Sequence, residues 1–338
     1  MLQPAAWRPF REQMTKRNPL IAALALNLMS CLRLHAQGPS QDVTASFLLS
    51  MSVANQTRLH ADVQFLTSLQ PARNYQNLAS LNKAADYIHA EFKKLGCSVQ
   101  EQKFQVRKHE YRNVIASLGP PTAARIIVGA HYDVCGDQPG ADDNASAIAG
   151  LLETARLLQA QAPTLKYRID FVAYSLEEPP FFATEDMGSA VHAKSLHTEK
   201  VPVRAMLCYE MIGYFRDEPG SQKFPDPALA ALYPNTGNFI IVVGRQGQEA
   251  FTQQVKTLMS AHSKIDVQSI NLPTSQGLAG LSDHRNYWRY GYEAVMINDT
   301  SFLRNPNYHE SSDTIDTLDF KRMAEVVNGV YGAILGLL

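Results

Sequence analysis

An excess of basic charge, a cysteine framework, internal repeats and long apolar runs are all missing from this 338-residue chain. Its 31 Lys and Arg face 32 Asp and Glu, a formal net charge of −1 with histidine neutral. No net positive field therefore exists to hold nucleic acid or an anionic membrane. After the first 20 residues the cationic side chains are scattered, which excludes a polybasic docking patch. Cysteine occurs four times, at positions 31, 97, 135 and 208. That is no disulfide framework. If a bridge forms, Cys135 with Cys208 is the expected pair, since both lie near candidate-site strands. Isolated buried thiols are the alternative. No repeat, low-complexity block or linker interrupts residues 57–338, which read as one domain.

What is present begins with an unusual N-terminus. Arg8, Arg11, Lys16 and Arg17 precede an apolar run from Pro19 to Leu32. A positive start and a short apolar stretch have the shape of a secretory signal. The run is too short to span a bilayer comfortably, so no membrane span is expected. Cleavage after Ala36 would define a signal peptide over 1–36 and an exported, periplasmic or secreted protein. The stretch Leu28-Met29-Ser30-Cys31 offers a second reading, a lipoprotein box with Cys31 as the lipid anchor. Residues 37–56 would then form a polar arm, and 57–338 the main domain.

Within the domain, strands and helices alternate. Ser80 to Leu95 places Leu81, Ala84, Ala85, Ile88, Phe92 and Leu95 on one helical stripe, with Gly96 as its stop. Ser98 to Val106 reads as an edge strand. Tyr111 to Leu118 and Arg125 to Ala130 flank Gly119-Pro120-Pro121, a hairpin signal with a longer loop. Asp143 to Leu158 reads as a helix, and another runs from about Leu318 to the end. Tyr167–Ser175, Val203–Tyr209, Phe239–Val243 and Glu293–Ile297 are apolar runs rather than alternating ones. Such strands are covered on both faces. The fold class is therefore α/β: a mixed, largely parallel central sheet sandwiched by helices.

Candidate ligands fall just after the strands, where open α/β sheets place their sites. His131 ends one strand; Glu177 and Glu178 follow another; Glu210 follows a third. His309 lies beyond the strand ending near Ile297, and Asp143 opens a helix. Two imidazoles and three carboxylates suit Zn²⁺. Five ligands exceed what one open tetrahedral zinc accepts, so they fit two zinc ions sharing one carboxylate. Asp133 could accept from the second nitrogen of His131 and fix its tautomer. Adjacent Glu177 and Glu178 divide into general base and ligand, respectively. Each element also has a plain reading. Asp142-Asp143-Asn144 could be an N-cap cluster, Asp313 and Asp316 turn residues, and the glutamates solvated loop charges.

The ordered set is specific where its members are not: His131-x-Asp133, Gly140-Ala-Asp-Asp143-Asn-Ala-Ser146, Glu177-Glu178, Gly188-Ser189, Glu210-Met-Ile-Gly213, Ser282-Asp283-His284 and His309-x3-Asp313-Thr314. It resembles the co-catalytic zinc exopeptidases of the bacterial leucyl aminopeptidase type. That superfamily also includes glutaminyl cyclases, glutamate carboxypeptidases and the transferrin receptor. The resemblance covers roughly residues 60–335. It implies an aminopeptidase that hydrolyses N-terminal residues of peptides, with a water shared by the metals and Glu177 as base. His131 and Glu210 would serve one zinc, Glu178 and His309 the other, with Asp143 bridging and a cis peptide at Asp143-Asn144. Two departures stand out. The relatives usually carry Asp where this chain has Glu210, and the loop Pro179 to Asp186 is longer than usual. Phe181 and Phe182 in that loop, with Asp283 and Tyr308, are the candidate substrate-binding residues; the phenylalanines could equally anchor the loop. A one-zinc glutaminyl cyclase, using Asp143, Glu178 and His309 with catalytic Asp283, is the alternative enzyme. A metal-free receptor-like binding module is the non-enzymatic one.

Overall fold

The computed structural model describes residues 53–161, 164–274 and 277–338. The expected signal segment 1–36, Cys31 and the first part of the polar arm lie outside the described residues. Helix α1, Gln56–Thr67, starts at Asn55, whose side chain accepts from the Arg58 amide as an N-cap. Helix α2, Leu78–Lys94, buries the predicted stripe as far as Phe92, leaves Leu95 half-buried at its C-cap and carries Lys93 and Lys94 in its last turn. Gly96 then adopts φ +73°, a left-handed stop that a side chain would disfavour.

Eight strands follow: β1 Ser98–Val106, β2 His109–Leu118, β3 Arg125–His131, β4 Arg168–Tyr174, β5 Val203–Glu210, β6 Phe239–Arg245, β7 Asp266–Leu272 and β8 Ala294–Asn298. They form one sheet in the order β1-β2-β4-β3-β5-β8-β6-β7. The centre, β4-β3-β5-β8, is parallel. The β1–β2 and β2–β4 pairs are antiparallel, as is β6–β8, while β7 runs parallel to β6. The remaining helices are α3 Ala147–Gln161, α4 Gly188–Thr198, α5 Glu249–His262, α6 His284–Trp288 and α7 Phe320–Leu337, with one further turn at Pro227–Ala230.

Because side chains alternate across a strand, each central strand feeds two cores. Ile126, Val128, Leu207 and Tyr209 pack with α1, α2, α3, α5 and α7. Ile127, Met206 and Cys208 pack with α4 and α6 on the other face. This explains why the strands read as unbroken apolar runs.

Three local expectations need correction. The hairpin is not Tyr111–Leu118 with Arg125–Ala130, because β2 joins β4, and β3 lies between β4 and β5. The hairpin is β1–β2, closed by Arg107 and Lys108 at φ 47° and 70°. Two left-handed residues suit a primed turn, yet neither is the usual Asn or Gly, so the turn gave no signal. Second, Asp143 does not begin regular helix. Residues Ala141–Ser146 form a wide π turn, with Asp143 at φ −102°, ψ 91° and Asn144 at φ −136°, ψ 36°, before α3 starts at Ala147. Third, Cys97, Cys135 and Cys208 are buried free thiols, so the Cys135–Cys208 bridge is absent.

Candidate metal centre

The four parallel strands deliver their carboxyl ends to one edge of the sheet, and the site is built there. His131 is the last residue of β3 and pairs in register with Tyr174 of β4. Glu210 closes β5 opposite Asn298 of β8, whose amide donates to the Glu210 carbonyl at 2.7 Å. Backbone irregularity concentrates on the same edge. Leu176, Met211 and His309 have φ of 60°, 46° and 59°. Left-handed non-glycine residues cost on the order of 1–3 kcal/mol each and persist where their surroundings over-determine them. The Asp143-Asn144 peptide is cis.

The two histidines face opposite oxygens of Asp143. His131 Nε2 lies 3.5 Å from Asp143 Oδ1 and 3.3 Å from Glu210 Oε2. His309 Nε2 lies 3.1 Å from Asp143 Oδ2 and 3.3 Å from Glu178 Oε2. Glu177 Oε2 approaches His131 at 3.9 Å. Donors bonded to one tetrahedral zinc at about 2.0–2.1 Å sit roughly 3.3 Å from each other. The histidine–carboxylate distances on both sides have that spacing.

A surrounding layer fixes these groups. Asp133 was expected to hold His131 with its carboxylate. The carboxylate lies 3.5 Å from His131 Nδ1, and the Asp133 carbonyl is also in reach of that nitrogen at 3.2 Å. The two Asp133 oxygens accept from the amides of Glu177 and Glu178 at 3.1 Å each, tying the end of β3 to the loop after β4. Asp313, readable as a plain turn residue, accepts from the amides of Asp142 and Asp143. Ser282 Oγ at 2.7 Å and Asn144 Nδ2 at 3.1 Å both donate to Glu210 Oε2, so one oxygen of the longer glutamate is held by two donors. Arg73 was invisible in the sequence. Its guanidinium is fully buried and donates to the carbonyls of Leu66, Tyr132, Pro139 and Gly140. Its partners are scattered along the chain, so no spacing could have signalled it. Gly140 itself is left-handed, φ +62°, and a Cβ there would meet the Asp143 carbonyl at 2.4 Å.

The electrostatics follow from burial and crowding. Burial pushes Glu177 well above the usual carboxylate range, the charges of Glu178 and Glu210 push it further, and His131 opposes them. Burial, then Asp143, raises Glu178 to about 7 against His309. Asp143 goes the other way: burial alone would raise it, but His309 and His131 hold it low. Burial would depress His131, yet the Glu210 and Glu177 charges hold it well above its ordinary value. A divalent cation inverts this logic, drawing neutral imidazoles and ionised carboxylates. The donor set fits such an ion on a direct observation. Asp143 Oδ1, Glu177 Oε1 and Glu178 Oε1 are buried and have no hydrogen-bond partner. An orphaned buried acceptor costs about 1–3 kcal/mol, which coordination would relieve.

The other predicted residues divide. Phe181 is 1% exposed, edge-on to Tyr75 at 5.3 Å and capped by Arg107, so it anchors the loop and offers a substrate no face. Phe182 is partly exposed beneath the Arg285 guanidinium. Tyr308 stacks on His309 with ring centroids 3.8 Å apart. Asp283 is fully buried next to Ser282, and burial raises it to about 7. Beside Glu210, a cavity of about 110 Å³ is lined by apolar groups, among them Phe224, Leu229, Ile241, Ile270, Met296 and Phe302. No motif marked it, because its walls come from β6, β7, β8 and the loops around them.

Comparison with known proteins agrees with the motif order. Residues 113–334 match the model of Peptidase family M28. The Escherichia coli (strain K12) protein YfbL, described as uncharacterized, is 44% identical over 285 residues, 82% of this chain and 87% of its own length. A probable leucine aminopeptidase 1 of Trichophyton verrucosum (strain HKI 0517) is 26% identical, over 80% of this chain and 72% of its own. Among solved structures, the Legionella pneumophila LapA aminopeptidase has a TM-score of 0.69 at 19% identity, covering 90% of this chain and 77% of its own. Porphyromonas gingivalis glutaminyl cyclase has a TM-score of 0.65 at 18% identity, covering 85% of this chain and all of its own. These two show a shared α/β fold. With the family model spanning most of the described residues and a 44% identical relative covering most of the chain, this protein belongs to peptidase family M28.

Proposed function

We propose that the chain is a zinc-dependent aminopeptidase that removes apolar N-terminal residues from peptides. The observation that carries this reading is Asp143, whose two oxygens each face a separate histidine–glutamate pair. His131, Glu210 and Asp143 would hold one zinc ion, and His309, Glu178 and Asp143 the other. When bound, such ions supply Lewis acidity toward a carbonyl oxygen and lower the pKa of water. Glu177 is the general base: its Oε1 is buried and has no protein partner, and burial has already raised its proton affinity. It takes a proton from the attacking water and returns it to the leaving amine. A free substrate ammonium is drawn to the carboxylate-dense edge, and the apolar cavity beside Glu210 takes the first side chain. The basic and apolar N-terminus would direct export, leaving a periplasmic, secreted or Cys31-anchored enzyme.

The test is a panel of aminoacyl anilides and short peptides, assayed with and without chelator. Leucyl or phenylalanyl release that stops on chelation and returns with two zinc equivalents is expected. Glu177→Gln should cut turnover by about 10²–10⁴-fold and keep both ions. The second reading, cyclisation of N-terminal glutamine, is favoured by the buried Asp283, both of whose oxygens lack a hydrogen-bond partner. Ammonia release from glutaminyl peptides, with no amino acid released from any substrate, would replace the aminopeptidase reading.

A further inference from the structure

The His309 half of the centre holds a donor that the peptidase reading leaves unused. The Sγ of Cys135, a carboxylate oxygen of Glu178 and a ring nitrogen of His309 all lie within 4.8 Å of one another. Cys135 is buried and forms no disulfide. Its turn is pinned on both sides: the Val134 amide donates to the Arg73 carbonyl at 3.2 Å, and Asn74 Nδ2 donates to the Gly136 carbonyl at 2.6 Å. The thiol is therefore held at the cluster by ordered backbone. Independently, Glu178 Oε1 is buried there without a hydrogen-bond partner, an acceptor waiting for a ligand.

On one tetrahedral zinc, a sulfur at about 2.3 Å and a nitrogen or oxygen at about 2.0 Å sit roughly 3.5 Å apart. From a separation of at most 4.8 Å, Cys135 needs a shift of no more than about 1.3 Å to share an ion with Glu178 and His309. We infer that Cys135 is a direct ligand of the ion on the His309 side, so that the pair is chemically unequal. One position, His131, Glu210 and Asp143, offers nitrogen and oxygen only. The other adds sulfur, which favours thiophilic ions such as Zn²⁺ and Cd²⁺ over Mn²⁺. On binding, a metal–sulfur bond forms and the thiol proton leaves to solvent. The inference rests on the two-ion reading above and deepens it.

The experiment uses the full chain, stripped of metal and reloaded with Co²⁺, with bound cobalt counted by elemental analysis. Thiolate coordination gives a charge-transfer band in the near ultraviolet, whereas nitrogen and oxygen ligands give only the visible bands. Wild type should show the near-ultraviolet band at about one sulfur per two cobalt ions. Cys135→Ser should lose it while keeping the visible bands and its circular dichroism. The Cd²⁺ to Mn²⁺ affinity ratio should fall at least tenfold in that variant. Two bound Co²⁺ without the band in wild type overturns the thiol ligand and leaves the two-ion reading standing. A band that survives Cys135→Ser does the same, and the wild-type spectrum decides even if the variant misfolds. Failure to bind cobalt at all overturns both.

Discussion

The two sides of Asp143 are held by different means. On one, His131 and Glu210 are terminal residues of neighbouring central strands, and the His131 side chain is 1% exposed. Sheet register places them, and Ser282 and Asn144 finish the job. On the other, His309 sits in a loop with left-handed backbone, and its side chain is 13% exposed. Tyr308 stacking and a 2.6 Å hydrogen bond from Gln138 to the His309 carbonyl hold it. A strand-borne ligand is fixed by the ladder that makes the sheet; a loop-borne one needs dedicated side-chain bracing. The His309 side should therefore be the looser of the two.

The largest effect should come from erasing the comparison. Asp143→Asn removes the oxygen pair that both sides share, so activity should fall by more than the roughly 100-fold typical of losing an outer-layer partner. Both ions should leave together by elemental analysis; one ion retained at full occupancy would show that the sides are independent. Arg73→Met strikes the frame beneath both. Four carbonyls, three of the bonds buried, would lose the guanidinium, and unfolding in urea should show a loss of about 3 kcal/mol or more. A midpoint unchanged within error would mean that water replaces the guanidinium freely. Ser282→Ala sharpens the contrast, since Glu210 is the one candidate ligand to which its hydroxyl donates, its other neighbour being the Cys208 thiol. Metal affinity on the His131 side should drop about tenfold, at the low end of such partners, with the His309 side unchanged in a two-phase chelator titration. Tyr308→Leu is the converse and the smallest. An aromatic stack is worth about 0.5–1.5 kcal/mol, so release of the faster ion should quicken several-fold and the slower one stay put. If Tyr308→Leu moved the slow phase instead, the looser side would be the wrong one.

The strands and the buried helix faces were legible because burial on both faces writes a continuous apolar run, and on one face a helical stripe. The ends of β3 and β5 could be located from the same runs, and with them His131 and Glu210. The edge was harder. Strand β7 is only partly buried and carries Gln268 and Ser269, so no apolar run marks it. The Arg107-Lys108 turn lacks the residues that advertise a left-handed pair. Phe181 and Phe182 are neighbours of the same type, yet one is core and the other is half-exposed, a distinction made by Tyr75 and Arg107 arriving from elsewhere.

Residue type and order along the chain were enough to establish an α/β sheet, the donor chemistry and the family, because these depend on periodicity and on which side chains can bind a borderline ion. Distances between donors, the division of Asp143 between two histidines, and the placement of Arg73, Asp313 and Cys135 depend on contacts between segments far apart in sequence. Only the folded chain brings those segments together, so only the tertiary structure could decide them.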